Sequence, residues 1–392
     1  MLRRVYPWVI VLCICFVLLE LGLYFLAKYG NIPTLFPTYS WGNREGFHFD
    51  LDKHFGVWHK PNSSFIHRRQ CFSVKYYFNS YGARDKERTK NSKEPRAVVI
   101  GDSFVEGYGL DADKRLSDIL ERATGMEHLN FGTSGHFGLT QEALLYETLA
   151  IDFEHDVVLI GMLPDNDFIN DDIDIGKRAF RDRYRPYYVG NYPDYKITYL
   201  GNRPSLESVI NRDFWGKIKS FLREYTFTYN TLSYIKGMLS YKRAIEENKD
   251  SSKKGTYTVY SDYYDYKRHQ FMRARFSIEK IVGLASDTGK SVVLFTIPVY
   301  RDFLRYRDNP SPPPLHIELE ALSKEIGFEY LDLLPFMFEA EKDWGRFFHT
   351  CDFHWNAVGN KKAAEIILEN SIIYKEMEKT RMETRQKPHV AD

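Results

Sequence analysis

The chain has 392 residues, enough for one large domain or two ordinary ones, and its 43% hydrophobic and 16% aromatic content can fill a sizeable core. A formal net charge of +1 excludes a polyelectrolyte and leaves no argument for a nucleic-acid partner. Internal repeats and low-complexity tracts are absent.

In chain order, residues 1–4 are a short tail carrying Arg3 and Arg4, and residues 5–27 are a nearly unbroken apolar run. That run is long enough to span a bilayer as a helix. The positive-inside rule puts the tail in the cytoplasm and everything after residue 27 on the far, extracytoplasmic side. Glu20 is the one charge inside the run, about two turns from its outer end, where headgroups or a partner can meet it. The rival reading is a cleaved signal peptide, but the run is long for that and no A-x-A-like site follows. Neither Cys13 nor Cys15 follows the small residues that lipid attachment prefers, so an uncleaved anchor is favoured. Outside the run only Cys71 and Cys351 remain. Whether they pair stays open, with two separate thiols the simpler reading.

Residues 28–95 form an aromatic and basic lead-in that reads as β-rich. Within it residues 72–78 alternate as a strand should, and residues 79–82 make a turn. A charged linker, residues 86–95, opens the main domain, placed at residues 96–375. Its apolar stretch 97–100 predicts a strand that ends at Gly101-Asp102-Ser103-Phe104. A helix over 114–124 with Gly125 as its stop, a strand-like stretch 126–129, a helix over 140–152 and a strand over 157–163 follow.

Residues 168–266 break this rhythm and read as an insertion over the active-site edge, with an amphipathic helix over 214–238 and a lysine-rich loop over 246–255. Aromatic side chains beside Arg and Asp (Arg185, Tyr187, Tyr188 and Tyr192) suit sugar stacking and hydroxyl recognition, and suit a plain packed surface equally. The core resumes with a helix over 270–288, a strand over 291–298, a helix over 317–327 and a strand over 329–333. A loop with Asp352 and His354 precedes a helix over 357–370, which Asn356 can cap. Residues 376–392 are a charged tail. Alternating strands and helices predict an α/β fold: a flavodoxin-like three-layer sandwich around a central parallel sheet.

Four blocks carry chemistry: Gly101-Asp102-Ser103-Phe104; Asn130-Phe131-Gly132-Thr133-Ser134-Gly135; Pro164-Asp165-Asn166-Asp167; and Cys351-Asp352-Phe353-His354-Trp355-Asn356. In that order they resemble the SGNH (GDSL-type) hydrolase superfamily, and more narrowly its membrane-anchored bacterial branch with a D-x-H-W-N ending. The resemblance covers residues 45–165 and 280–370. It implies Ser103 as nucleophile, His354 as general base and Asp352 as the acid that orients the imidazole. It also implies an oxyanion hole made by the backbone N–H groups of Ser103 and Gly135 and the Asn166 amide. Two departures stand out. Pro164 occupies the place of the family's glycine in the third block. In the fourth, Cys351 takes the usual position of the acid, three before the histidine, and Asp352 stands two before it.

The resemblance implies an extracytoplasmic serine esterase removing acyl groups, O-acetyl foremost, from a cell-envelope glycan or a smaller ester. An O-acyltransferase with the same triad and a catalytically silent scaffold are the alternatives. No cofactor is expected and no metal: Asp165, Asp167, Asp171 and Asp172 cluster, but as a solvated acidic loop. The oligomeric state is not legible.

Overall fold

The computed structural model describes residues 2–30, 32–43, 48–205, 214–246, 259–377 and 379. The apolar run forms helix α1 (Leu2–Lys28), of which Tyr6–Lys28 has a mean hydropathy of 2.8 and is long and apolar enough to cross a membrane. The lead-in then folds as two antiparallel pairs: β1 (His48–Asp52) with β2 (Gly56–His59), and β3 (Ser63–Arg68) with β4 (Ser73–Phe78). Along β4 the side chains alternate, so Val74, Tyr76 and Phe78 turn inward and form a small apolar cluster with Phe65.

The main domain is built on a five-stranded sheet of β5 (Arg96–Gly101), β6 (Glu127–Asn130), β7 (Val157–Met162), β10 (Ser291–Thr296) and β11 (Glu329–Asp332). Between β7 and β10 lies a separate antiparallel hairpin, β8 (Arg185–Val189) with β9 (Lys196–Leu200). The spatial order in the sheet is β11-β10-β7-β5-β6, and every pairing is parallel. Both β5 and β7 are buried along their whole length, as strands covered on two faces must be.

The helices are α2 (Ser103–Glu106), α3 (Leu116–Thr124), α4 (Leu139–Thr148), α5 (Pro164–Asn170), α6 (Ile173–Ala179), α7 (Phe214–Tyr225), α8 (Phe227–Glu246), α9 (Arg268–Ser286), α10 (Tyr300–Asp308), α11 (Pro314–Ile326), α12 (Leu333–Ala340) and α13 (Ala357–Asn370). Packing joins α4, α5, α9 and α11 into one layer and α3, α12 and α13 into another. The expected three-layer sandwich is what forms. Because the chain steps from β5 to β6 and then returns past β5 to β7, the order reverses between β5 and β7. Ligands in such sheets bind at the carboxyl ends flanking that reversal.

Several expectations are corrected. The helix expected over 214–238 is two helices, α7 and α8, broken at Thr226. Helices α5, α6, α10 and α12 had no expected counterpart; α12 starts because the Asp332 carboxylate accepts the Leu334 N–H at 3.0 Å. Cys71 and Cys351 are joined in a disulfide with Cα atoms 5.7 Å apart, so the two thiols are not separate. The lysine-rich loop lies almost wholly outside the described residues, as does the tail beyond residue 379.

Candidate active site

Strand β5 ends at Gly101, and Asp102 turns the chain into α2 by accepting the Phe104 N–H at 2.8 Å. Ser103 is thereby held at the first position of α2, on the carboxyl edge of the sheet. Its Oγ lies 2.7 Å from His354 Nε2. The other ring nitrogen, Nδ1, hydrogen-bonds Asp352 Oδ1, which also accepts the His354 backbone N–H at 3.1 Å. With Nδ1 donating to the carboxylate, Nε2 is left as the acceptor facing the serine hydroxyl.

The imidazole is held by packing as well. Tyr108 stacks on it with ring centroids 3.9 Å apart and planes 14° from parallel, and Phe353 packs at 4.3 Å. Asp352 reaches beyond the histidine: its Oδ2 is 3.1 Å from Arg69 Nη1, and Arg69 Nε donates to Tyr108 Oη at 3.1 Å. Burial alone pushes the Asp352 carboxyl up. The imidazole beside it, the hydrogen bonds it accepts and the Arg69 charge together outweigh burial and hold it well below the usual carboxylate range.

The second block forms the facing wall. Asn130 pins it: the side-chain amide donates to Val105 O and Ser117 Oγ, both at 2.8 Å, and accepts the Gly132 N–H at 2.9 Å. A Cβ at Gly132 would stand 2.3 Å from the Glu106 nitrogen, so only glycine lets this loop lie against α2. Gly135 has φ +104°, and its carbonyl accepts from Arg183 at 2.9 Å and Arg185 at 3.3 Å.

On the other side of the strand reversal, Pro164 opens α5, where a missing N–H costs nothing. Asn166 Nδ2 donates to Asp102 Oδ2 at 2.9 Å, while its Oδ1 accepts from Asn170. The two contacts fix which way the amide faces. Asp102 is fully buried, and that burial raises its carboxyl to about 6.

Ser103, Gly135, Asn166 and His354 line one cleft of about 760 Å³, within the range of small-molecule sites. Asp352 stands behind the histidine. The cleft also takes Leu35, Phe65, His67 and Arg69 from the lead-in, Asp165, and Tyr300 and Arg301 after β10. The lead-in contribution was not legible as function in the sequence. Its one signal was Cys351 next to Asp352, with Cys71 two residues after Arg69.

The residues expected to contact substrate from the insertion are elsewhere. Arg185, Tyr187 and Tyr188 are buried, at 0%, 0% and 2% exposure, and none lines the cleft. β8 packs inward along most of its length: Arg185 donates to Asn170 O and Tyr187 Oη, Tyr187 fills the space a Cβ at Gly176 would need, and Tyr188 meets Phe276 edge-on. Tyr192 is half-buried, also outside the cleft, donating to Glu279 Oε1 at 2.9 Å. The expected substrate contacts are therefore corrected to packing and support, Arg185 bracing Gly135 from behind.

The acidic group is not a solvated loop either. Asp167 accepts the Leu163 N–H at 2.8 Å, Asp171 the Thr140 N–H at 2.9 Å and Asp172 the Asp174 N–H at 2.9 Å, while Asp165 pairs with Arg301. Among the described residues no group of three or more His, Cys, Asp and Glu side chains is arranged to hold a metal ion.

No family model and no curated protein matches this chain. Solved structures similar to it include a member of the lipolytic protein G-D-S-L family from Veillonella parvula, 14% identical with a TM-score of 0.35, covering 70% of this chain and 97% of that one. A lipase/acylhydrolase from Enterococcus faecalis is 12% identical with a TM-score of 0.35, covering 73% of this chain and 96% of its own. A carbohydrate esterase family 2 enzyme with a carbohydrate-binding domain, from Corynascus thermopiles, is 13% identical with a TM-score of 0.33, covering 76% and 69%.

Proposed function

We propose that this chain is a serine ester hydrolase of the SGNH type, anchored through residues 5–27, that removes acyl groups, O-acetyl foremost, from a cell-envelope glycan on the side of the membrane opposite its N-terminus. The observation that carries the reading is the unbroken relay from Ser103 Oγ through the imidazole to Asp352, opening on a single cleft. In this reading Ser103 Oγ attacks the ester carbonyl as Nε2 takes its proton. The developing oxyanion is met by the Ser103 and Gly135 N–H groups and the Asn166 amide. His354 then gives the proton to the departing sugar oxygen, and a water activated by the same nitrogen releases the acid. Asp352, kept ionised by Arg69, stabilises the imidazolium at both steps.

The walls suit a sugar ester. Tyr300, 46% exposed, offers a stacking face, and Arg183, Arg301 and Asp165 offer hydroxyl partners. Arg3 and Arg4 before the apolar run support the orientation. The test is product analysis on an acylated glycan with and without an acceptor sugar. Free acid with either mixture is the expected result, acyl transfer to the added sugar would make the protein a transferase, and an unchanged glycan would overturn the glycan assignment.

A further inference from the structure

Glu20, the one carboxylate in the apolar run, has a specific partner. Its two oxygens accept the backbone N–H groups of Phe227 at 2.7 Å and Thr228 at 2.9 Å, the first two residues of α8. A carboxylate in hydrocarbon is costly unless its hydrogen bonds are met, and a helix N-terminus offers both unpaired N–H groups and the positive end of the dipole. The contact is a packed seam. Glu20, Leu23, Tyr24 and Ala27, spaced along one face of α1, are its covered residues, and Tyr24 meets Phe227 ring to ring at 5.6 Å. Glu20 stands about 12 Å along the axis before Lys28. Helix α8 therefore begins at the depth of the outer leaflet.

From there α8 runs to the main domain, where it packs on α6. Phe227, Asn230, Thr231 and Tyr234 form its covered stripe. A neighbouring stripe about 100° round the helix, Leu232, Ile235 and Leu239, is 40% to 63% exposed, as is Met238 farther along. Helix α7 repeats the pattern with Phe214, Trp215 and Phe221 exposed, and Trp41 leaning on Phe221 at 6.1 Å. Lys217, Lys219, Arg223 and Lys236 are interspersed. Exposed Trp, Phe and Leu with lysine and arginine beside them, on a helix pair that packs on an apolar helix long enough to span a membrane, describe an element that lies in the bilayer interface.

We propose that α7 and α8 lie in the outer-leaflet interface as a second membrane contact and that the bilayer covers their apolar stripes. This goes beyond the esterase reading but rests on the part of it that seats α1 in a membrane. One consequence is positional. Phe36, next to the cleft residue Leu35, packs on Phe227 at 5.2 Å, so a wall of the cleft is fastened to the membrane-lying helix and the cleft is held at the membrane surface.

The test uses the full chain in nanodiscs of phosphatidylcholine with acyl-chain bromines, which quench indole fluorescence on contact. The Ile235→Trp variant should carry an added emission cut by about half relative to unbrominated discs, the behaviour of an interfacial side chain. Trp215→Phe should remove a quenched component. Trp8→Phe, in α1, separates the two readings. If Trp8 is quenched while Trp215 and the added indole are not, and aqueous iodide quenches the latter pair, the interfacial helices are disproved and the anchor stands. If Trp8 escapes quenching too, the anchor reading fails and this proposal with it.

Discussion

Arg69 and Asp352 meet with Arg69 Nη1 3.1 Å from Asp352 Oδ2, on the side of the carboxylate turned away from His354. The lead-in hairpin thus supplies a fixed charge to an acid near the other end of the chain. Two residues along from Arg69, Cys71 is bonded to Cys351, the neighbour of Asp352. The covalent link thus sits directly beside Asp352 in the chain and ties its loop to the lead-in.

Removing the charge should show in the pH profile. Arg69 is one of the groups depressing the Asp352 carboxyl, so Arg69→Ala raises it toward the ordinary range. Asp352 then accepts a proton at a higher pH than in the parent protein. The loss of kcat/KM should therefore grow as pH falls into the carboxylate range and be small at neutral pH, where Asp352 stays ionised in both proteins. A profile unchanged in shape, merely scaled down, would make Arg69 a packing residue.

The disulfide makes a related prediction. Cys71→Ser should cost about 2–5 kcal/mol of stability and lower turnover of a small aryl ester, because the Asp352 loop loses its tie to the lead-in. Thermal melts and kcat, each with and without a thiol reductant, measure this. Reductant should act on the parent protein and leave Cys71→Ser indifferent.

Asp102 and Asp171 should make a contribution to stability that declines as pH rises from about 4 toward about 6, against the rise that the buried His128 and His155, both lowered to about 4, contribute. Burial holds Asp102 and Asp171 at about 6, above the ordinary carboxyl value of about 4, so the unfolded chain gives up these protons first and folding weakens across that window. Below the unfolded value both states are protonated and the penalty vanishes. Asp102→Asn keeps an acceptor for the Phe104 N–H and should remove the Asp102 share of that decline. Melting temperature against pH decides it, and an Asp102→Asn curve of the same shape as the parent's contradicts the assignment.

Tyr187 and Tyr300 should behave in opposite ways. Tyr187 is fully buried, and Tyr187→Ala should destabilise the fold by about 3–5 kcal/mol and reduce action on all substrates together. Tyr300 is 46% exposed in the cleft, and Tyr300→Ala should spare a small aryl ester while impairing an acylated glycan, which draws on remote contacts. Specificity constants for the two substrates, beside melts, separate these outcomes.

Much of this was legible because it is local. The apolar strands at 97–100 and 157–163, the glycine stop at Gly125 and the Asn356 cap each follow from a few adjacent residues, and the sheet follows from their alternation. The four motif blocks pointed to Ser103, His354, Asp352, Gly135 and Asn166, which meet at one sheet edge. What stayed hidden depends on distant chain segments. Nothing near Arg69 marks it as the partner of Asp352. The tyrosines of β8 have the composition of a sugar platform, and only their pairing with β9 and packing on α6 and α9 turn them inward. The aspartates after β7 looked solvated because their backbone N–H partners lie at Leu163, Thr140 and Asp174, positions that composition cannot rank.

The central claim is that Ser103 forms a covalent bond to the acyl group, and turnover of a short-chain aryl ester by Ser103→Ala tests it most directly. With the fold intact by circular dichroism, the variant should lose roughly a thousandfold or more of kcat, since no other group takes over the attack. A folded Ser103→Ala protein that hydrolyses the ester at close to the parent rate would contradict the account.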